Sequence, residues 1–217
     1  MKLSWLLSLP KSIWFNFRYL PFRQAIYLPI AISYKSKCHV IRGNILFDTN
    51  RLHPFMIHYG FHDVPIIENS MSMLIVKGKL IFKGKAHIGK ASRVVVEKCG
   101  ELVVGNNFAI SASSYIYCYK RIVFGDNIQL SWNDLIMDSD SHSIYDINGS
   151  RINEDKEIVL GNNIWVGCDC KILKGAVIPD NCVVGANSVV TNSSITPNTL
   201  VIGTPAKSVK KISGWKL

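Results

Sequence analysis

The chain has 217 residues, 48% of them hydrophobic, 10% aromatic and 18% charged: enough apolar content for one sizeable core and too much for a disordered chain. Six cysteines (Cys38, Cys99, Cys118, Cys168, Cys170, Cys182) are too few for a disulfide scaffold and form no C-x-x-C pair, so reduced thiols in a cytoplasm are expected. The formal charge of +10 is uneven: residues 1–47 carry seven basic residues (Lys2, Lys11, Arg18, Arg23, Lys35, Lys37, Arg42) and no acidic one.

Read as a helix, the basic N-terminal segment places Trp5, Leu9, Ile13 and Phe17 four apart with Leu20 on the same side, and sets Lys11 and Arg18 opposite. Pro10 either starts a second helix or kinks a continuous one, and Pro21 ends the element. Pro10, Pro21 and Pro29 leave no run of 18 apolar residues, so a spanning helix is not expected, and the long apolar run and small-residue cleavage site of a signal peptide are missing. Two partners suit the pattern for residues 1–30. One is the rest of the fold. The other is an anionic membrane surface, where each nearby Lys or Arg contributes about 1 kcal/mol. No nucleic-acid module is recognisable, so charge alone does not argue for that partner.

Further along, a weak six-residue frame runs through Val76, Phe82, Ile88 and Val94. It continues through Val104, Ile110 and Ile116, then, shifted by two residues, through Phe124, Leu130 and Ile136. This places the start of a solenoid near residue 70, giving an N-terminal region of 1–69, a repeat domain of 70–210 and a tail of 211–217.

Between Ile136 and Leu160 the hexads stop, and residues 138–158 form an insertion centred on Asn148-Gly149, the signal of a tight hairpin. A regular solenoid has no packing reason to eject some 20 residues, and insertions on one face of a repeat protein commonly build its binding site. Asp138, Asp140 and His142 cluster at its mouth. Asn133 lies just before it.

From Leu160 the frame is strict: Leu160, Val166, Ile172, Ile178, Val184 and Val190 are six apart. The fifth hexad positions, Ile164, Cys170, Ala176, Cys182, Ser188 and Ser194, are mostly small. A period of six matches neither a lone strand nor a helix. It fits a short parallel strand and a turn per hexad, aliphatic inward, with Gly or Asn at corners. Cys170 and Cys182 then occupy small inward slots for structural reasons. Trp165 should point outward, where it needs a ligand or a neighbouring subunit. After the last hexads comes Gly203-Thr204-Pro205-Ala206-Lys207, followed by Lys210 and Lys211.

These hexads resemble those of the hexapeptide-repeat acyltransferases, and Asp138-Ser139-Asp140-Ser141-His142-Ser143-Ile144 is similar to the D-x-D-x-H-x-I segment of the branch with maltose, galactoside and exopolysaccharide O-acetyltransferases. The resemblance implies a mainly β fold, a left-handed parallel β-helix of three hexads per coil, preceded here by the basic amphipathic segment. It implies His142 as general base. Asp140 or Asp138 would orient the ring or contact the acceptor, and Asn133 would position the acceptor. It further implies acetyl-CoA as donor, lying along Trp165, Gly167, Gly185, Ala186, Thr204, Pro205, Lys207 and Lys210, and a homotrimer with donor grooves between subunits. The acceptor would be a sugar hydroxyl in a bacterial surface-polysaccharide pathway, met in the cytoplasm or at the inner face of the membrane.

The chemistry is consistent with these roles. A neutral alcohol attacks a thioester poorly, and an imidazole, with a usual pKa of about 6.5, can take the proton as the bond forms, while an N–H donor stabilises the tetrahedral oxyanion. N-acyl transfer to an amino sugar would use the same base and donor, and a non-catalytic scaffold would use neither. Zinc enzymes on the same helix need three histidines, whereas the repeat offers only His87 and His142, so no metal is expected. His39, His53, His58 and His62 lie outside the insertion and are read as structural. Residues 1–70 hold no Gly-rich nucleotide loop, which excludes the nucleotidyltransferase-plus-solenoid enzymes.

Overall fold

The computed structural model describes residues 3–61, 71–191 and 194–216. Lys2 and His62 lie outside the described residues. Two helices, α1 (Leu3–Tyr19) and α2 (Phe22–Ala25), precede a stack of coils in which every third strand joins the same sheet. The first coil is β1 (Ile30–Ile32), β2 (Lys37–Val40) and β3 (Ile45–Phe47). The second is β4 (Ile57–Phe61), β5 (Met73–Val76) and β6 (Lys79–Phe82), and the third β7 (Ala86–Gly89), β8 (Arg93–Val96) and β9 (Glu101–Val104). Coil four contains β10 (Phe108–Ala112), β11 (Tyr115–Cys118) and β12 (Arg121–Phe124). Coil five contains β13 (Ile128–Trp132), β14 (Leu135–Met137) and, after the insertion, β15 (Ile158–Leu160). Coil six is β16 (Ile164–Val166), β17 (Lys171–Leu173) and β18 (Val177–Ile178). β19 (Val183–Val184) and β20 (Val189–Val190) follow, and β21 (Thr199–Gly203) with β22 (Ala206–Lys211) form a closing hairpin.

The result is the expected left-handed parallel β-helix, a three-sided prism. Its first face runs β1-β4-β7-β10-β13-β16-β19-β21-β22, its second β2-β5-β8-β11-β14-β17-β20, and its third β3-β6-β9-β12-β15-β18. Leu160↔Ile178, Val166↔Val184 and Ile172↔Val190 pair in register, each 18 residues apart, which is three hexads. All six strict aliphatics are buried, as are Cys170 and Cys182. Ser194 is exposed, and among the described residues no third-face strand follows β20. The corners turn through left-handed backbone at Asn107, Asn127, Asn163, Asn181 and Asn198, which Asn tolerates better than other side-chain-bearing residues. Their amides form a ladder, with Asn163 Nδ2 donating to Asn181 Oδ1 and Asn181 Nδ2 to Asn198 Oδ1, both at 3.0 Å.

The expected start of the solenoid needs correction. The coils begin at Ile30 rather than near residue 70. The first two coils were hidden because their spacing is irregular: Ile57 pairs with Ala86, against 18 residues per coil later on.

The N-terminal helix packs on the fold through a mainly polar side. α1 is continuous through Pro10, and Ser8, Ser12 and Asn16, four apart, are buried against β1. Ser8 Oγ accepts the Tyr34 N–H, Ser12 Oγ accepts the Ile32 N–H, and Asn16 bonds both polar groups of Ile30. Lys11 donates to the carbonyls of Tyr34 and Ser36. Among the described strands β1 is the open edge of the first face, and this polar stripe satisfies it. Of the expected apolar stripe, only Leu20 is fully buried. Trp5 stacks on Phe61 at 4.4 Å, while Leu9, Ile13 and Phe17 face outward.

Candidate active site

The insertion leaves the prism at the corner between its second and third faces, and its centre is the expected hairpin. Gly149 has φ +77°, Asp146 Oδ1 accepts the N–H groups of Asn148 and Ser150, and Tyr145 and Arg151 form an antiparallel bridge. The base of the loop is fastened on both sides. Lys120 Nζ donates to the Asp155 carbonyl at 3.1 Å, and Lys174 Nζ to that of Asn153 at 3.0 Å.

Asn153 joins the two arms. Its Nδ2 donates to Asp140 Oδ2 and to the His142 carbonyl, both at 2.8 Å, and its Oδ1 accepts the Ile144 N–H at 2.7 Å. Lys174 forms an ion pair with Asp140. The Lys174 ammonium first, and the Asn153 amide second, hold the Asp140 carboxyl below its usual range. Thus the backbone on both sides of His142 is pinned while its side chain stands exposed, with no side-chain hydrogen bond among the described residues.

Asp140 therefore pairs with Lys174 instead of the His142 ring. Asp138 does not face solvent. It is fully buried, and its carboxylate accepts the backbone N–H groups of Tyr119, Lys120 and Arg121 at 2.7–2.8 Å. It is the anchor where the chain leaves β14. The adjacent Cys118 thiol, 3.8 Å from Asp138 Oδ2, is pushed up by burial and then by that charge. Asn133 is exposed, at an αL corner with φ +60°, a position taken by Ser113 one coil earlier and Asp169 one coil later. Turn geometry alone accounts for its residue type.

The residues expected along a donor lie on the first face, across the prism from the insertion. Trp165 is 41% exposed, its Nε1 donates to Ser131 Oγ at 3.2 Å, and its ring lies 6.3 Å from Trp215 of the tail. In register with it run Val183, which is buried, Leu200 and Lys210, so one row leads from the indole to a cation three strands away, about 14 Å. Gly203 to Ala206 form the turn of the closing hairpin, with Thr204, Pro205 and Lys207 exposed. Gly167 and Gly185 have packing reasons of their own. A Cβ would meet Ala186 N at 2.7 Å at the first and Ile202 Cγ2 at 2.4 Å at the second.

Sequence reasoning missed Asn153, Lys174, Ser131 and Trp215. Each acts through a partner distant in sequence, so no local motif marks it. Among the described residues, no group of three or more His, Cys, Asp or Glu is arranged to hold a metal ion.

Comparison with known proteins gives partial matches. A polysialic acid O-acetyltransferase of Neisseria meningitidis is 41% identical over 56 residues, 25% of this chain and 26% of that protein. One of Escherichia coli (O1:K1 / APEC) is 29% identical over 84 residues, 38% of this chain and 27% of that protein. The chain thus matches about a quarter of the length of these curated relatives. Among solved structures, the polySia-specific acetyltransferase NeuO superposes with a TM-score of 0.54 at 20% identity, covering 87% of this chain and 89% of that one, a likeness of fold. No family model matches.

Proposed function

We propose that the protein is an acetyltransferase that moves an acetyl group from acetyl-CoA to a sugar hydroxyl, with His142 as general base. The observation that carries this reading is the exposed His142 imidazole on a loop whose backbone is fixed on both sides by Asn153 and, through Asp140, by Lys174. The names of the partial relatives, both polysialic acid O-acetyltransferases, point to the same class and to a saccharide acceptor.

In this mechanism Nε2 or Nδ1 of neutral His142 takes the proton of the attacking hydroxyl as its oxygen bonds to the thioester carbonyl carbon. The tetrahedral intermediate collapses by breaking the C–S bond, and the departing thiolate takes the proton back from the imidazolium. Atoms and charge balance without a metal. Asp140 and Asn153 are positioning residues, while Trp165 and the row leading to Lys210 would carry the extended donor, its phosphates near Lys207 and Lys210.

The insertion and the Trp165 row lie on opposite sides of one prism, so base and donor meet only if a second subunit brings its first face to the insertion. This favours a homotrimer with sites between subunits. Light scattering should give three times the chain mass, and a monomer at assay concentration would contradict it.

The decisive experiment is turnover of acetyl-CoA with a panel of saccharide acceptors. His142→Ala should lower it by about 10²-fold or more with an unchanged circular dichroism spectrum, a typical general-base effect. Undiminished turnover would remove His142 from the mechanism.

A further inference from the structure

We propose that the outer face of α1 rests on a phospholipid surface bearing anionic headgroups. Ordinary surface helices bury their apolar stripe; α1 buries the polar Ser8, Ser12 and Asn16 together with Phe15 and Tyr19, and presents Leu6, Leu9, Ile13, Trp14 and Phe17 to solvent, each 40% exposed or more. At 100° per residue these five span an arc of about 140°, whose centre lies about 130° from that of the buried polar stripe. The helix cannot roll to hide them, because Ser8, Ser12 and Asn16 bond β1 and the following turn. Phe22, Ile26 and Tyr27 extend the apolar surface past Pro21, at 69%, 52% and 47% exposure. A contiguous patch of this kind marks a contact surface rather than scattered surface hydrophobes.

Charge selects the occupant. Arg18, Arg23, Lys35, Lys37 and Arg42 are exposed around this end of the prism, and residues 1–47 contain no acid. An interfacial helix with aromatic and aliphatic residues on one side and only cations at its border suits an anionic bilayer. A second copy of this chain would bring the same cations against themselves. Nucleic acid would leave the apolar arc uncovered. No described helix is long and apolar enough to cross a membrane, so the contact is peripheral. Because α1 caps the edge of β1, the prism would stand on the surface with the 138–157 insertion four strand spacings, about 19 Å, above the first coil. The proposal does not depend on the acetyltransferase reading.

The test is sedimentation of the full chain with phosphatidylcholine vesicles containing or lacking phosphatidylglycerol. Wild type should bind the anionic vesicles, bind the neutral ones at least about tenfold more weakly, and release as sodium chloride rises from 0.1 to 0.5 M. The triple variant Leu9→Ser, Ile13→Ser, Phe17→Ser should keep its circular dichroism spectrum and lose at least about tenfold in vesicle affinity. Should that variant misfold, wild type still decides: brominated lipid should quench its fluorescence, and Trp14→Phe should remove most of that quenching. No binding of wild type, equal binding to neutral vesicles, or no quenching would overturn the proposal. So would a lipid-free self-association that the triple variant abolishes, since the face would then be an interface between copies.

Discussion

The side-chain amide of Asn16 pairs with Ile30 as a neighbouring strand would: Nδ2 donates to the Ile30 carbonyl at 2.7 Å and Oδ1 accepts the Ile30 N–H at 3.1 Å. Both residues are buried, so nothing else reaches these groups. Asn16→Leu would leave two buried backbone groups without partners, at about 1–3 kcal/mol each. The expected loss, about 2–6 kcal/mol, should appear in urea unfolding, and an unchanged midpoint would mean that the edge does not need its cap.

Asp138 makes a parallel prediction for the insertion. Asp138→Ala removes the acceptor of three backbone N–H groups at the exit from β14. A loss of roughly 3 kcal/mol or more is expected, since hydrogen bonds to a buried charge are among the stronger ones. Lost activity without lost stability would instead restore Asp138 to the acceptor site.

Lys174→Ala should act on the loop through Asp140. Turnover should fall by about tenfold, less than for His142→Ala, because the proposed base remains and only its placement loosens. Amide exchange across residues 138–157 should quicken, and Lys174→Arg should restore much of both. Slower turnover with unaltered exchange would contradict a positioning role.

Asp134 supplies a pH test. It is fully buried between coils, with Oδ1 accepting the Cys170 N–H at 2.9 Å and Oδ2 without a partner among the described residues. Burial, with a smaller push from Asp169, raises its pKa from 3.8 to about 7. The folded state therefore holds a proton that the unfolded chain releases between these values. Its contribution is complete below pH 3.8 and is lost as pH rises through about 7. Relative to Asp134→Asn, wild type should lose up to about 4 kcal/mol of stability between pH 4 and pH 8. Parallel unfolding curves across that range would show that Asp134 does not titrate there.

The strict hexads made the β-helix legible, because a prism interior has room for one aliphatic side chain per face per coil and repeats that demand along the chain. Leu160 through Val190 meet it without exception. The insertion was legible for the opposite reason, as an interruption with a local motif inside it, and the His142 of that motif is exposed. The division of labour between Asp138 and Asp140 was not legible. Two residues apart in a turn, they differ only in what the fold brings to them: backbone N–H groups of the preceding coil for one, Lys174 of the following coil for the other. The N-terminal helix shows the same limit most plainly. Its apolar spacing is readable, yet the side it buries is decided by the open edge of β1, whose unpaired polar groups exist only in the assembled coil. Three polar side chains satisfy that edge and turn Leu9, Ile13 and Phe17 outward.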